Sequence, residues 1–143
     1  MDLFISERRF EMFRWRTGHT GLVLRTFPLR NPNDVIEIMF KPAFAASLPS
    51  VLDGVRIADA SELDERDDTC LTRPLKDYEH RFAVQGSDYR GWVIASAVYG
   101  LAADRSNGEP LFDGWGDRAG VRKLFSHQRL ERRPGAPESP PSA

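Results

Sequence analysis

Three histidines, a single cysteine and a dense run of carboxylates are the groups in this 143-residue chain that could hold a metal or carry out catalysis. A metal centre needs two or more such donors to converge. His19, His80, His127 and Cys70 sit at no recognised ligand spacing, so the sequence gives no metal cluster and calls for no cofactor. The acidic run at residues 59–68 has six carboxylates against one arginine. Counted from Asp59 as a calcium loop, it puts Leu63 at a ligand position and has no glycine at the central turn, so it reads as a solvated loop.

Nucleophilic catalysis can be drawn with Cys70 and His80, or with Ser87, His80 and Asp88. A triad is defined by geometry, however, and no nucleophile-elbow signature accompanies these residues. The glycines of Gly114-Trp115-Gly116-Asp117-Arg118-Ala119-Gly120 lack the lysine and preceding strand of a phosphate loop. Asp113 and Asp117 put negative charge where a phosphate would approach, so these are turn glycines. No catalytic residue is assigned, and the balance falls against an enzyme.

Binding chemistry is better represented. As a strand, residues 8–16 put Arg8, Phe10, Met12, Arg14 and Arg16 on one face, a basic and aromatic surface of the kind that stacks bases and contacts phosphates. The opposing expectation is that Phe13 and Trp15 enter the core while the arginines are solvated. A net charge of −1 supplies little attraction to a polyanion, so single-stranded nucleic acid is the lesser alternative. Tyr89 and Arg90 at a hairpin tip, with Trp115 and Arg118, are residue types that dominate protein interfaces when desolvated. A further alternative is a β-barrel with a ligand cavity, or a small enzyme built in one, walled by His80, Phe82, Trp92 and Tyr99.

The elements that must position these groups are mostly strands. His80-Arg81-Phe82-Ala83-Val84-Gln85 and the run from Trp92 to Tyr99 are β-rich, bracketed by Gly86 and Gly91 around a polar tip, and read as an antiparallel hairpin. The second run is apolar on both alternating faces, which predicts one central strand covered on two sides. Residues 10–16 and 22–27 form another hairpin about Thr17-Gly18-His19-Thr20-Gly21. Residues 35–40 add a third strand, with Ile36, Ile38 and Phe40 on one face. Residues 42–48 fit either a helical turn or a strand, and Asp53-Gly54 predicts a tight turn. Residues 71–75 suggest a short edge element, because Pro74 cannot donate to a ladder. Val121, Leu124 and Phe125 share a stripe at helical spacing, predicting a short helix over residues 119–128.

Strand after strand without strand-helix alternation predicts a mainly β fold: a single antiparallel sheet folded as a sandwich or partly open barrel, with a short C-terminal helix. One domain over residues 1–130 accommodates this, with a core rich in the nine phenylalanines and three tryptophans. Cys70 alone makes no intramolecular disulfide, the N-terminus lacks the pattern of a secretion signal, and no apolar run reaches the ~20 residues of a membrane span. A cytoplasmic location is therefore expected, without a membrane. The reading these residues favour is a non-enzymatic domain that binds a protein partner or forms a homo-oligomer, for example a regulatory or neutralising partner in a bacterial-type cell. Residues 131–143 are a proline-rich tail too poor in apolar groups to fold alone. Deleting everything after Pro134 is expected to leave the unfolding free energy within ~0.5 kcal/mol of the full chain in a urea titration; a larger loss would show the tail to be packed.

Overall fold

The computed structural model describes residues 2–16, 21–26, 35–61, 75–103 and 121–128, and among these every regular element is a strand. The strands are β1 (Asp2–Arg16), β2 (Gly21–Thr26), β3 (Val35–Phe40), β4 (Ala43–Ser47), β5 (Val51–Asp59), β6 (His80–Gln85), β7 (Arg90–Ala95), β8 (Ala97–Ala103) and β9 (Val121–Gln128). They form one open antiparallel sheet in the order β4-β7-β6-β5-β1-β2-β3-β8-β9, as the mainly β reading requires. No helix among the described residues is long and apolar enough to cross a membrane.

The apolar run at residues 92–99 is two strands rather than the single one expected. In β7, Val93 and Ala95 face the main core; past Ser96, Val98 of β8 does so, and the parity of the inward residues has changed. The same inversion occurs between Phe40 of β3 and Ala43 of β4, across Lys41-Pro42. Because β3 pairs with β8 and β4 with β7, the two chain segments bend side by side. Lys41 N–H donates to the Ala97 carbonyl at 3.0 Å and Ser96 N–H to the Pro42 carbonyl at 3.1 Å, so the corner keeps its backbone polar groups paired.

Bending carries apolar side chains of distant strands into one core. Phe10, Phe40 and Phe82 are fully buried, and the rings of Phe40 and Phe82 lie 5.7 Å apart. Phe4 of β1 stacks on Phe125 of β9 at 5.0 Å although those strands are not sheet neighbours, so the sheet curls onto itself. β2 is buried along its whole length. On its second face the cross-strand pair Arg25–Glu37 is almost wholly buried at 3.2 Å, with the guanidinium 4.6 Å from the Phe13 ring centre. A charge that deep is tolerable only when it is paired.

Several local expectations are corrected. Val121–Gln128 is a strand, not a helix: it pairs with β8, and Gly100 leaves the space that the Phe125 ring fills. The register passes from Gly100↔Phe125 to Leu101↔Lys123, so Leu124 is an extra, bulged residue pushed to the surface, although a helical stripe would have buried it. Of residues 42–48, which fit either a helical turn or a strand, Ala43–Ser47 form strand β4. Asp53-Gly54 makes no hairpin; Gly54, with φ of +82°, sits inside β5 opposite the register shift between Ser6 and Arg9. Asp59, expected in a solvated loop, is the last residue of β5. The remainder of the acidic run from Glu62 onward, residues 71–74 of the suggested edge element and the tail lie outside the described residues.

Phe82→Ala is expected to cost about 3–5 kcal/mol in denaturant unfolding, the range for removing a buried aromatic. Ile5→Ser, at a side chain 55% exposed, should stay within ~0.5 kcal/mol of the parent. Similar costs at the two positions would contradict this core.

Candidate functional site

At the Ser96 corner the ends of three strands meet. His80, the first residue of β6, is paired with Ala95 on one side of the bend. His127 of β9 is paired with Val98 on the other. Asp59 is paired with Phe82, which makes it the diagonal neighbour of His80 across the β5–β6 ladder. A turn closed by Glu79 N–H to the Lys76 carbonyl and Lys76 N–H to Glu79 Oε1, both at 2.9 Å, delivers the chain into β6.

The three side chains converge on one atom. His80 Nδ1 lies 2.6 Å and His127 Nε2 2.9 Å from Asp59 Oδ2. The second carboxylate oxygen, Oδ1, accepts from the Ser61 hydroxyl at 2.5 Å and the Ser61 amide at 2.9 Å, and the same hydroxyl accepts from Arg81 N–H at 3.1 Å. Burial alone would raise the Asp59 pKa; the hydrogen bonds from His80, Ser61 and His127 outweigh it and hold the carboxyl well below the usual carboxylate range. His80 is buried, its ring stacked on Phe82 at 5.3 Å and edge-on to His127 at 4.9 Å, while Asp59 and His127 are about a quarter exposed. Among the described residues this is the cluster whose donor types could hold a cation.

The opposite end of β6 carries the hairpin tip. Tyr89 is half-buried rather than presented to solvent: its hydroxyl donates to the Gly54 carbonyl at 2.7 Å and its ring covers Gly86, where any Cβ would overlap it. Arg90 is exposed. Beside the tip an open cleft of about 580 Å³ runs between Ile5-Ser6-Glu7, Asp53-Gly54-Val55-Arg56 and Gln85-Gly86-Ser87. The half-exposed ion pair Arg9–Asp53 lies at this end of β5, and Arg56–Asp2 farther along the same strand.

The residues proposed from sequence are distributed as follows. His80 and Phe82 come together, but Trp92 is paired with Ala83 and Tyr99 with Met39 on the other face of the sheet, so these four do not line one space. Ser87 and Asp88 lie at the far end of β6 from His80. Phe10 is fully buried and Met12 packs on the core, while Phe13 joins the second cluster and Trp15 is 39% exposed. A bulge between Met12 and Arg14 breaks the alternation on which the basic face depended. Trp115, Arg118, Cys70 and His19 lie outside the described residues. His127 and Asp59 stand among the candidate donors in the sequence, but their convergence with His80 has no signal there because it depends on the β8–β9 and β5–β6 registers. Comparison with protein-family models, curated proteins and solved structures gives no match.

Burial, then the Asp88 and Asp53 carboxylates, push the Tyr89 phenol above its ordinary value. A folded pKa above the unfolded one stabilises the fold below pH ~10 and loses that contribution as pH rises further. The phenolate absorbance of Tyr89, taken as wild type minus Tyr89→Phe, should therefore appear only well above pH 10. Its appearance near 10 would show the ring to be solvated.

Proposed function

We propose that the curled sheet is a partly open barrel that acts by binding another protein, or a second copy of this chain, through the surface around the hairpin tip. The observation that carries this reading is the open cleft of about 580 Å³ beside the tip, rimmed by the exposed Ile5 and by charged groups. Its lining combines the apolar Ile5 with Glu7, Asp53 and Arg56, and the exposed Arg90 is the cross-strand partner of the lining residue Gln85. Such a mixed surface suits a protein partner better than a small ligand, which favours deep and mostly apolar enclosure. In the space between the curled halves Phe10, Phe40, Phe82, Leu22 and Leu24 are fully buried and in mutual contact, which weighs against an internal ligand chamber. Phe10 is withdrawn from any stacking surface, which weighs against the nucleic-acid alternative.

The test uses the tagged full chain as bait in extract of its own host, together with light scattering over a range of protein concentrations. A partner captured by wild type, or a concentration-dependent dimer, should be lost or weakened more than tenfold by Ile5→Ser with Arg90→Ala. Lys123→Ala on β9 should leave it intact. Binding indifferent to the cleft variant, or a wild-type monomer that captures nothing, overturns the reading.

A further inference from the structure

We infer that Asp59, His80 and His127 form a binding site for a divalent transition-metal ion of the zinc type. This inference goes beyond the hairpin-end reading and stands on different residues.

The donor set suits such an ion. Two imidazole nitrogens and one carboxylate oxygen form an N₂O group of intermediate softness, which suits zinc and its first-row neighbours; magnesium and calcium prefer all-oxygen surroundings. The geometry suits it as well. The three ligand atoms lie within 4.8 Å of one another, and both nitrogens aim at the same oxygen, at 2.6 and 2.9 Å. Around a tetrahedral ion with bonds of about 2.0–2.2 Å, ligand atoms stand roughly 3.3–3.6 Å apart. The two N–O contacts lie inside that separation and the two nitrogens within 4.8 Å of each other, so small side-chain adjustments bring all three to it, and Asp59 and His127 are each partly exposed.

A surrounding shell holds the ligands in place. Ser61 holds Asp59 Oδ1 with its hydroxyl and its amide, leaving Oδ2 for the ion, and the Phe82 ring fixes the plane of His80. This is the outer support that orients ligands in metal centres.

His80 Nε2 is buried with no hydrogen-bond partner among the described residues, and neither a structural cluster nor an ion on Nδ1 supplies it one. An acid–base dyad of Asp59 and His80 would need the second nitrogen of that histidine to face a nucleophile or substrate, and that nitrogen is enclosed. Three protein ligands leave further coordination positions, and the exposure of His127 puts them on the solvent side. A bound ion would also tie β9, whose backbone ladder is to β8 alone, to the ends of β5 and β6.

The full chain, stripped with EDTA and dialysed, is titrated with Zn²⁺ by calorimetry at neutral pH, with Co²⁺ absorption as a spectroscopic check. The expected result is one Zn²⁺ per chain, visible bands of low-coordinate Co²⁺, no uptake of Mg²⁺ at the same concentrations, and slower amide exchange over residues 121–128 when zinc is added. His127→Ala, on a partly exposed edge strand, should fold and weaken zinc binding more than tenfold; Ser61→Ala should weaken it about 10–100-fold, as loss of an outer-shell partner does. If His80→Ala fails to fold, those two variants carry the test. Absence of stoichiometric zinc uptake by wild type, or uptake unchanged in His127→Ala and Ser61→Ala, overturns the site.

Discussion

The corner at Lys41-Pro42 and Ser96 is the constraint on which the rest of the molecule depends. A flat sheet of nine strands would leave an apolar face in water; bending two paired segments together folds that face inward while the reciprocal backbone hydrogen bonds keep the polar groups of the bend satisfied. The parity change at each bend matters equally. Without it, Val98 would turn outward and one half of the sheet would present its wrong face to Phe40 and Phe82.

The same bend explains how a metal-type cluster arises. His80 and His127 are partners of residues on opposite sides of Ser96, so the corner that packs the core also brings two strand ends together. Asp59 follows by the ordinary diagonal of an antiparallel ladder. Polar groups withdrawn from water are then managed in two ways. Arg25 and Glu37 neutralise one another across β2 and β3, whereas Asp59 is stabilised by donors and remains partly open to solvent. The first arrangement consumes its charge in structure; the second leaves ligand capacity directed at a common point.

The cleft and the Asp59, His80 and His127 cluster lie at opposite ends of β6, about 16 Å apart for a strand of this length. The hairpin end is an open cleft with an apolar anchor and a charged rim; the corner is a compact, partly buried group of donors. Strand β6 connects them, with His80 at one end and Gln85 at the other, so a bound ion and a bound partner need not compete for the same residues.

What the chain's own sequence determined is the local character of most strands. The alternation in residues 35–40, the glycine-flanked tip between β6 and β7, and the polar break before β2 are visible because period-two burial and turn-residue composition are short-range properties; Gly21 takes the positive φ of a turn glycine, whereas Gly86 and Gly91 serve close approach, to the Tyr89 ring and the Ser47 carbonyl. Gly54 shows the limit of that reading: its conformation was legible, but whether it served a turn or a bulge depended on β1 lying alongside. Val121–Gln128 shows it again, since Val121, Leu124 and Phe125 satisfy a helical stripe, and only the open edge of β8, with the space at Gly100, makes a strand the better solution. Ser96 gives no sign in sequence that a continuous apolar run must bend there. The Asp59, His80 and His127 cluster was therefore decided by tertiary structure alone: its members are far apart along the chain, and it is strand register and the fold of the sheet, not local preference, that set the distances between their side chains.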